Sequence, residues 1–155
     1  MVLSPDLTRF FGLRRAASGK VADLRRSPLF ADLSAHELAV IAAHLDEVTV
    51  PAGTVLVREG RRNHAFWLVV DGLAAVSIQG RPRRLIGAGG HFGATSMLDG
   101  LEASATVVAR TPVRALVAGV VQFGALTGNA TVAARIRCES EKRLRSDLMD
   151  LVAAS

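Results

Sequence analysis

The spacing of hydrophobic positions divides the chain into a helical start, a β-rich middle and a helical end. Within residues 21–47, apolar side chains recur at helical spacing and predict two short helices. Ser34, followed three residues later by Glu37, has the pattern of a capping box and predicts a helix start. From Val48 onward, short β-rich runs alternate with turn residues every eight to twelve positions. That spacing favours a sandwich or a jelly roll.

The β-rich middle contains clear turn signals. Asp71-Gly72 is typical of a hairpin turn, and residues 79–83 form a second exposed turn. The predicted strands are 48–50, 54–57, 65–70, 73–78, 84–86, 105–108 and 113–117. The pattern therefore predicts a β roll over residues 48–118.

Two helices are predicted after the roll, a short one ending near Gly128 and a long one from Thr131 to about Ala154. The apolar stripe of the long helix is Val132, Ile136, Leu144, Leu148 and Leu151. Its opposite face carries the charged residues Arg135, Arg137, Glu141, Lys142 and Arg145. The stripe serves either as a homodimer seam or as a surface that packs on the chain's own roll, and both alternatives stay open.

Composition fits one folded domain in a reducing compartment. The chain has 155 residues, of which 50% are hydrophobic, and a single cysteine, which excludes an internal disulfide. No apolar run approaches the roughly 20 residues of a membrane span. No metal is expected, because the four histidines have no carboxylate or cysteine at ligand spacing. We therefore predict a cytoplasmic protein without a cofactor.

The positive charge is concentrated at the N-terminus. The net charge is +5, and residues 1–30 hold six basic and two acidic side chains, a net charge of +4. Residues 1–20 are interpreted as a basic amphipathic leader, with a hinge at Ala16–Gly19. Its candidate interaction residues are Phe10, Phe11, Arg14 and Arg15. The leader docks on a partner, lies on an anionic membrane surface through residues 5–20, or packs on its own domain. Because a solvated leader explains the charge, nucleic-acid binding is not expected.

A glycine-rich stretch between two strands is the candidate site. The run Gly87–Gly90 leads into His91-Phe92-Gly93, a short helical segment and a β-rich run from Ala105. Glycines allow backbone N–H groups to approach a ligand closely. The arrangement indicates a ligand-binding turn.

These residues resemble a known family. Phe92-Gly93 matches the opening of the phosphate-binding cassette of the cyclic-nucleotide-binding domain, and Ser104-Ala105-Thr106-Val107 matches its close. Residues 51–60 and 66–72 are similar to the family's roll in order and spacing. The resemblance covers about residues 27–145. It implies an α+β, mainly β, jelly roll at 21–155, with leading helices at 21–47 and C-terminal helices at 119–154.

The resemblance also implies the pocket positions, which are Phe92, Gly93, Ala94, Thr95, Ser96, Ala103, Ser104 and Ala105. Ala94 stands where the family has a Glu that holds the ribose 2′-hydroxyl. Ala103 stands where it has the Arg that pairs with the cyclic phosphate. Each such charge-assisted contact contributes about 1.5–3 kcal/mol, so losing both weakens binding about a hundredfold to tens of thousandfold.

The leading hypothesis is a non-catalytic regulatory or protein-interaction module that has lost cyclic AMP or cyclic GMP binding. Ile136, Leu144 and Leu148 are its interaction candidates on the long helix. An atypical nucleotide sensor is the first alternative, with compensation by Arg81, Arg83, Arg84, Arg110 or Arg114, although each is more simply an outward-facing surface residue. Another ligand, recognised by His91, Thr95 or Ser104, and a peripheral membrane adaptor are the others. The sequence shows no nucleophile–base pair, so an enzyme is not expected.

Overall fold

The structure is a computed structural model that describes residues 17–154. The leader residues Phe10, Phe11, Arg14 and Arg15 lie outside the described residues. The helices are α1 (Ala17–Arg25), a 3-10 helix (Pro28–Phe30), α2 (Ala35–Ala43), α3 (Ala94–Asp99), α4 (Val120–Thr127) and α5 (Ala130–Ala154). The strands are β1 (Asp46–Val50), β2 (Val55–Val57), β3 (Phe66–Asp71), β4 (Ala74–Ile78), β5 (Arg81–Ile86), β6 (His91–Phe92), β7 (Thr106–Ala109) and β8 (Val113–Ala118).

The strands form two four-stranded sheets with antiparallel pairing. Their orders are β1-β8-β3-β6 and β2-β7-β4-β5. Along β4, Ala74, Val76 and Ile78 are buried while the residues between them are half-buried, as the period-2 pattern requires. The predicted jelly roll with flanking helices is confirmed.

Strand β3 separates two hydrophobic clusters. Trp67 and Val69 point into the roll, where the Trp67 ring stacks on Phe92 at a centroid distance of 5.7 Å. Phe66 and Leu68 point the other way, into a cluster formed with the helices. Because both faces of β3 are covered, its apolar run shows no alternation. The second cluster fixes the helices, including the start of α5, against the roll.

The first described helix spans the predicted boundary between leader and domain. α1 begins at Ala17 and runs through the stretch interpreted as a hinge and past residue 20. Lys20 is buried, and its ammonium donates to the Leu45 carbonyl at 2.7 Å. A buried ammonium needs such a partner, and this hydrogen bond joins α1 to the chain just before β1.

The turn after β4 is also shorter than predicted. Gln79 and Gly80 form it alone, with positive φ values of 52° and 77°, and β5 already begins at Arg81. The arginines of this hairpin therefore lie on a strand rather than in an exposed turn.

The apolar stripe of α5 is confirmed only in its first half. Val132 and Ile136 are fully buried, so Ile136 is a core residue and not the interaction residue that was predicted. Further along, Leu148 is 60% exposed, and the buried positions are instead Ser140 and Asp147. The contact face turns because α5 leaves the helical cluster and crosses β5, where Arg83 and Arg84 pair with its carboxylates. None of the helices within residues 17–154 has the length and apolar character that a membrane span requires.

Candidate functional site

The glycine-rich turn is fixed to β3 by backbone hydrogen bonds. The Gly89 N–H donates to the Val69 carbonyl, and the Val69 N–H donates to the Gly90 carbonyl, both at 2.8 Å. Strand β6 continues the pairing, with Phe92 opposite Trp67. The cassette therefore starts from a rigid edge of the sheet.

Gly93 directs the chain from β6 into α3. It is the N-cap of the helix, with φ at +92°, and a Cβ there would lie 2.3 Å from the Ala65 carbonyl oxygen. Asn63 holds this turn, because its Nδ2 donates to the carbonyls of Ala65 and Gly93, each at 2.9 Å. Asn63 was not predicted from the sequence, where its only signal is an amide side chain just before the most apolar strand.

Thr95 and Ser96 do not cap α3. The cap residue is Gly93, which offers no side chain, and α3 ends at Gly100, whose N–H donates to the Ser96 carbonyl at 2.9 Å. Instead, Thr95 and Ser96 line a cavity under the cassette.

The cavity has a volume of about 60 Å³. Its walls come from β2, β4, β5, β7, the cassette and α5. Seven predicted pocket positions line it: Phe92, Gly93, Thr95, Ser96, Ala103, Ser104 and Ala105. Ala94 does not line it, because its buried methyl packs in the helical cluster. The volume accommodates about four to six water molecules at roughly 10–15 Å³ each, whereas ligand pockets typically enclose about 300–1,000 Å³.

Ala103 is held by its backbone on both sides. Its N–H donates to the Arg61 carbonyl and its carbonyl accepts from the Gly60 N–H, both at 2.9 Å. Its methyl is buried in the cluster inside the roll. The side chain of Ala103 therefore faces the cavity and supplies no polar group to it.

An ion-pair cluster fastens α5 over this cavity. Asp147 accepts from Arg84 Nη2 at 2.5 Å and from Arg83 Nε at 2.9 Å, and Arg83 also pairs with Asp150. The hydrogen bonds to Asp150 and then Asp147 raise the pKa of Arg83. Arg83 and Arg84 are therefore not the free surface residues that were expected, since they join β5 to α5.

Arg143 lines the cavity from α5 and was missed in the sequence. Its Nη1 donates to the His91 carbonyl at 2.5 Å. Within residues 17–154 no carboxylate lies within ion-pair distance of it. Desolvation, and next the charge of Arg84, lower its pKa. The available signal was its position four residues before Asp147, on the same helix face.

His91 is a buried packing residue. Its ring lies 5.6 Å from that of Phe66, and its Nδ1 has no hydrogen-bond partner in the described part of the chain. Burial, and next the charge of Arg143, lower the pKa of His91 from 6.5 to about 3. The ring is therefore neutral at physiological pH. No group of three or more His, Cys, Asp or Glu side chains in residues 17–154 is placed to hold a metal ion.

The domain is a jelly roll of two four-stranded sheets, closed on one side by the long helix α5. A cavity lies under its glycine-rich cassette. A family model described as the cyclic nucleotide-binding domain matches residues 47–129. The chain belongs to the cyclic nucleotide-binding domain family.

Known proteins agree with this assignment. A cAMP-dependent protein kinase regulatory subunit of Emericella nidulans is 34% identical over 109 residues, or 69% of this chain and 26% of that protein. The chain spans about a quarter of the length of the curated relatives it matches.

Solved structures share the fold at lower identity. The regulatory domain of Toxoplasma gondii PKA, solved with cAMP, superposes with a TM-score of 0.72 at 21% identity, covering 81% of this chain and 50% of that one. The regulatory subunit of a cAMP-independent protein kinase A from Trypanosoma brucei gives 0.74 at 20% identity, covering 81% and 46%.

Proposed function

We propose that this chain is a non-catalytic regulatory domain that no longer binds cyclic AMP or cyclic GMP through the family's two side-chain contacts and acts by contacting another protein. The observation that carries the proposal is the cavity itself, which holds about 60 Å³ and has Arg143, Leu144 and Asp147 of α5 as one wall. A purine nucleotide does not fit this volume unless α5 moves away.

The two alanines support the same conclusion. Ala103 faces the cavity with a methyl, and Ala94 points into the helical cluster, so neither supplies charge to a phosphate or a ribose. The fold alone does not decide the matter. One structural neighbour was solved with cAMP, and another belongs to a cAMP-independent kinase.

A protein partner fits the remaining features. Most of the curated relatives are named regulatory subunits, a name that implies a larger assembly, and one is named a cyclic nucleotide-gated potassium channel. On this chain, the last turns of α5 expose apolar side chains, among them Leu148 and Met149 at 60% and 68%. Leu144 and Leu148 thus remain candidates for contact with a partner or a second copy. Cytoplasmic location stays a prediction.

Calorimetric titration of the full chain with cyclic AMP and cyclic GMP tests the proposal. We expect no binding in the low micromolar range. Ala103→Arg restores a guanidinium at the cavity and is expected to raise affinity about tenfold to a hundredfold. Ala103→Leu is the matched control, because it adds bulk without charge.

Low micromolar affinity in the parent chain contradicts the proposal. The double variant Ala94→Glu with Ala103→Arg adds a second test. Because Ala94 lies in the helical cluster, the added carboxylate is expected to lower thermal stability, and to improve binding only if it turns toward the cavity. A thermal melt of each variant separates these effects.

A further inference from the structure

A second groove lies beside the cavity, and Arg143 borders both. The 3-10 helix, the turn at Gly89–His91 and one face of α5 enclose about 370 Å³. That volume falls within the roughly 300–1,000 Å³ typical of small-molecule sites. The groove is open to solvent at Cys138, which is exposed.

The groove combines an apolar floor with two guanidinium groups. Leu29 of the 3-10 helix and the glycine backbone at 89–90 form part of the floor. Arg135 and Arg143 stand two helical turns apart on α5, a rise of about 12 Å along the axis. Their spacing of eight residues places them on one helix face, with Cys138 between them.

Both arginines retain donors that no described residue uses. Toward residues 17–154, Arg135 donates through Nη1 alone, to the carbonyls of Pro28, Leu29 and Ala31 at 3.4, 3.1 and 2.6 Å. Within the same residues, Arg143 donates through Nη1 alone, to the His91 carbonyl. A guanidinium carries five N–H groups. Among residues 17–154, neither arginine has a carboxylate within 4.0 Å.

We propose that this groove binds a small organic carboxylate with an apolar body. The body covers the floor, and the carboxylate accepts hydrogen bonds from a guanidinium, a pairing that favours bidentate geometry. Glu139 also lines the groove and opposes an anion at its middle, although Lys142 Nζ lies 3.7 Å from its carboxylate. The anionic end of the ligand therefore lies at Arg143, which makes one hydrogen bond to the described residues where Arg135 makes three. This inference goes beyond the proposed function and does not depend on what the cavity holds.

The rate at which Cys138 is alkylated measures directly whether the groove is occupied. Cys138 is the only cysteine of the chain and it lines the groove, so its alkylation by iodoacetamide slows when the groove is filled. The probes are phenylbutyrate and the uncharged phenylbutanol, used with the full chain. We expect saturable protection by phenylbutyrate and none by phenylbutanol at equal concentration.

Variants on α5 assign the protection to the groove. Arg143→Met is expected to weaken phenylbutyrate about tenfold. Arg145→Met removes the same charge from an exposed position outside the groove and is expected to change nothing. Glu139→Gln removes the opposing carboxylate and is expected to strengthen phenylbutyrate.

Three results overturn the proposal: no protection by phenylbutyrate, equal protection by phenylbutanol, or equal loss in the Arg143 and Arg145 variants. If circular dichroism shows that Arg143→Met does not fold, the test rests on Glu139→Gln. An unchanged affinity of Glu139→Gln for phenylbutyrate then rejects the site. Failure here leaves the nucleotide titration unaffected, so the two proposals fail separately.

Discussion

Gly93 shows how one residue sets the path of the cassette. Its φ of +92° and the carbonyl of Ala65, 2.3 Å from where a Cβ would be, both require glycine. We expect Gly93→Ala to destabilise the fold by about 3 kcal/mol or more, combining backbone strain with a steric overlap. Gly80→Ala is the control, because Gly80 has φ at +77° but nothing within 4 Å, and about 1–2 kcal/mol is expected. Urea denaturation measures the free energy of unfolding of both variants. Equal losses of stability would show that the structure relaxes around the added Cβ at position 93.

His91 makes stability depend on pH. The unfolded chain binds a proton at His91 below about pH 6.5, whereas the folded chain does so only near pH 3. The contribution of neutral His91 to the free energy of unfolding is therefore complete above pH 6.5, and it is lost as the pH falls toward 3. Between pH 7.5 and pH 5 the free energy of unfolding is expected to drop by about 2 kcal/mol from this group.

Denaturant melts across this pH range test the assignment to His91. His91→Phe keeps an aromatic ring beside Phe66 and is expected to remove that part of the drop. His36→Gln, at an exposed position, is the control and should keep it. A parent-like drop in His91→Phe would contradict the assignment.

At the residue scale, the sequence indicated which positions lie at the cavity, but not where each side chain points or which distant residues contact it. Seven of the eight pocket positions line the cavity because the matched motif fixes their order along the backbone. The direction of Ala94 was not predictable, since α3 starts at Gly93 through a left-handed cap that turns this methyl into the helical cluster. Arg143 was missed because its contact with His91 joins residues 52 positions apart.

Among the elements, α5 has a first half that is buried in the core and a second half whose apolar side chains are exposed. Ile136 is fully buried, and truncation to Ala is expected to cost about 2–5 kcal/mol through lost burial and a cavity. Leu148 is 60% exposed, and Leu148→Ala is expected to stay within about 0.5 kcal/mol. Chemical denaturation of the two variants compares them directly. Similar losses would indicate that the second half of α5 is also packed.

The second half is held by charge rather than by apolar contact. Asp147 pairs with both Arg83 and Arg84, and 11% of its side chain is exposed, against 57% for Asp150. We expect Asp147→Asn to increase hydrogen exchange in residues 140–154 while β3 and β8 stay protected. Asp150→Asn is expected to have a smaller effect, because its pair is more exposed to solvent. Uniform exchange across the domain would contradict a local release of α5.

The elements themselves were largely predictable. The capping box at Ser34 is confirmed, with the Glu37 N–H donating to the Ser34 Oγ at 3.1 Å and the Ser34 N–H donating to Glu37. Alternation and turn residues located seven of the eight strands within a few positions, whereas β6 was not predicted. The hairpin predicted at Asp71-Gly72 is wrong, because β3 and β4 lie in different sheets. The path of α5 was not predictable, because it depends on ion pairs between residues 63 to 67 positions apart. No local pattern contains that information.

For the molecule as a whole, the exposed end of α5 is a candidate association surface within the described residues 17–154. If it forms a homodimer seam, Leu148→Lys is expected to shift the chain toward monomer in size-exclusion chromatography with light scattering. Val121→Lys is the control, since Val121 is 79% exposed but lies on α4. A parent chain that stays monomeric at all concentrations would exclude the seam and favour a different protein partner.

The jelly-roll architecture followed from the sequence because strand spacing, turn residues and a family motif all agreed. The state of the pocket did not follow, since it depends on how far α5 approaches β5. That distance is set by side chains 63 to 67 positions apart in the sequence.

The paired hydrogen bonds of Ala103 with Gly60 and Arg61 have a consequence for redesign. Because its main chain is secured independently of its side chain, this position accepts a new recognition group without a new loop. A substitution at position 103 is therefore expected to change the chemistry of the cavity wall while the hydrogen bonds to Gly60 and Arg61 keep the backbone in place.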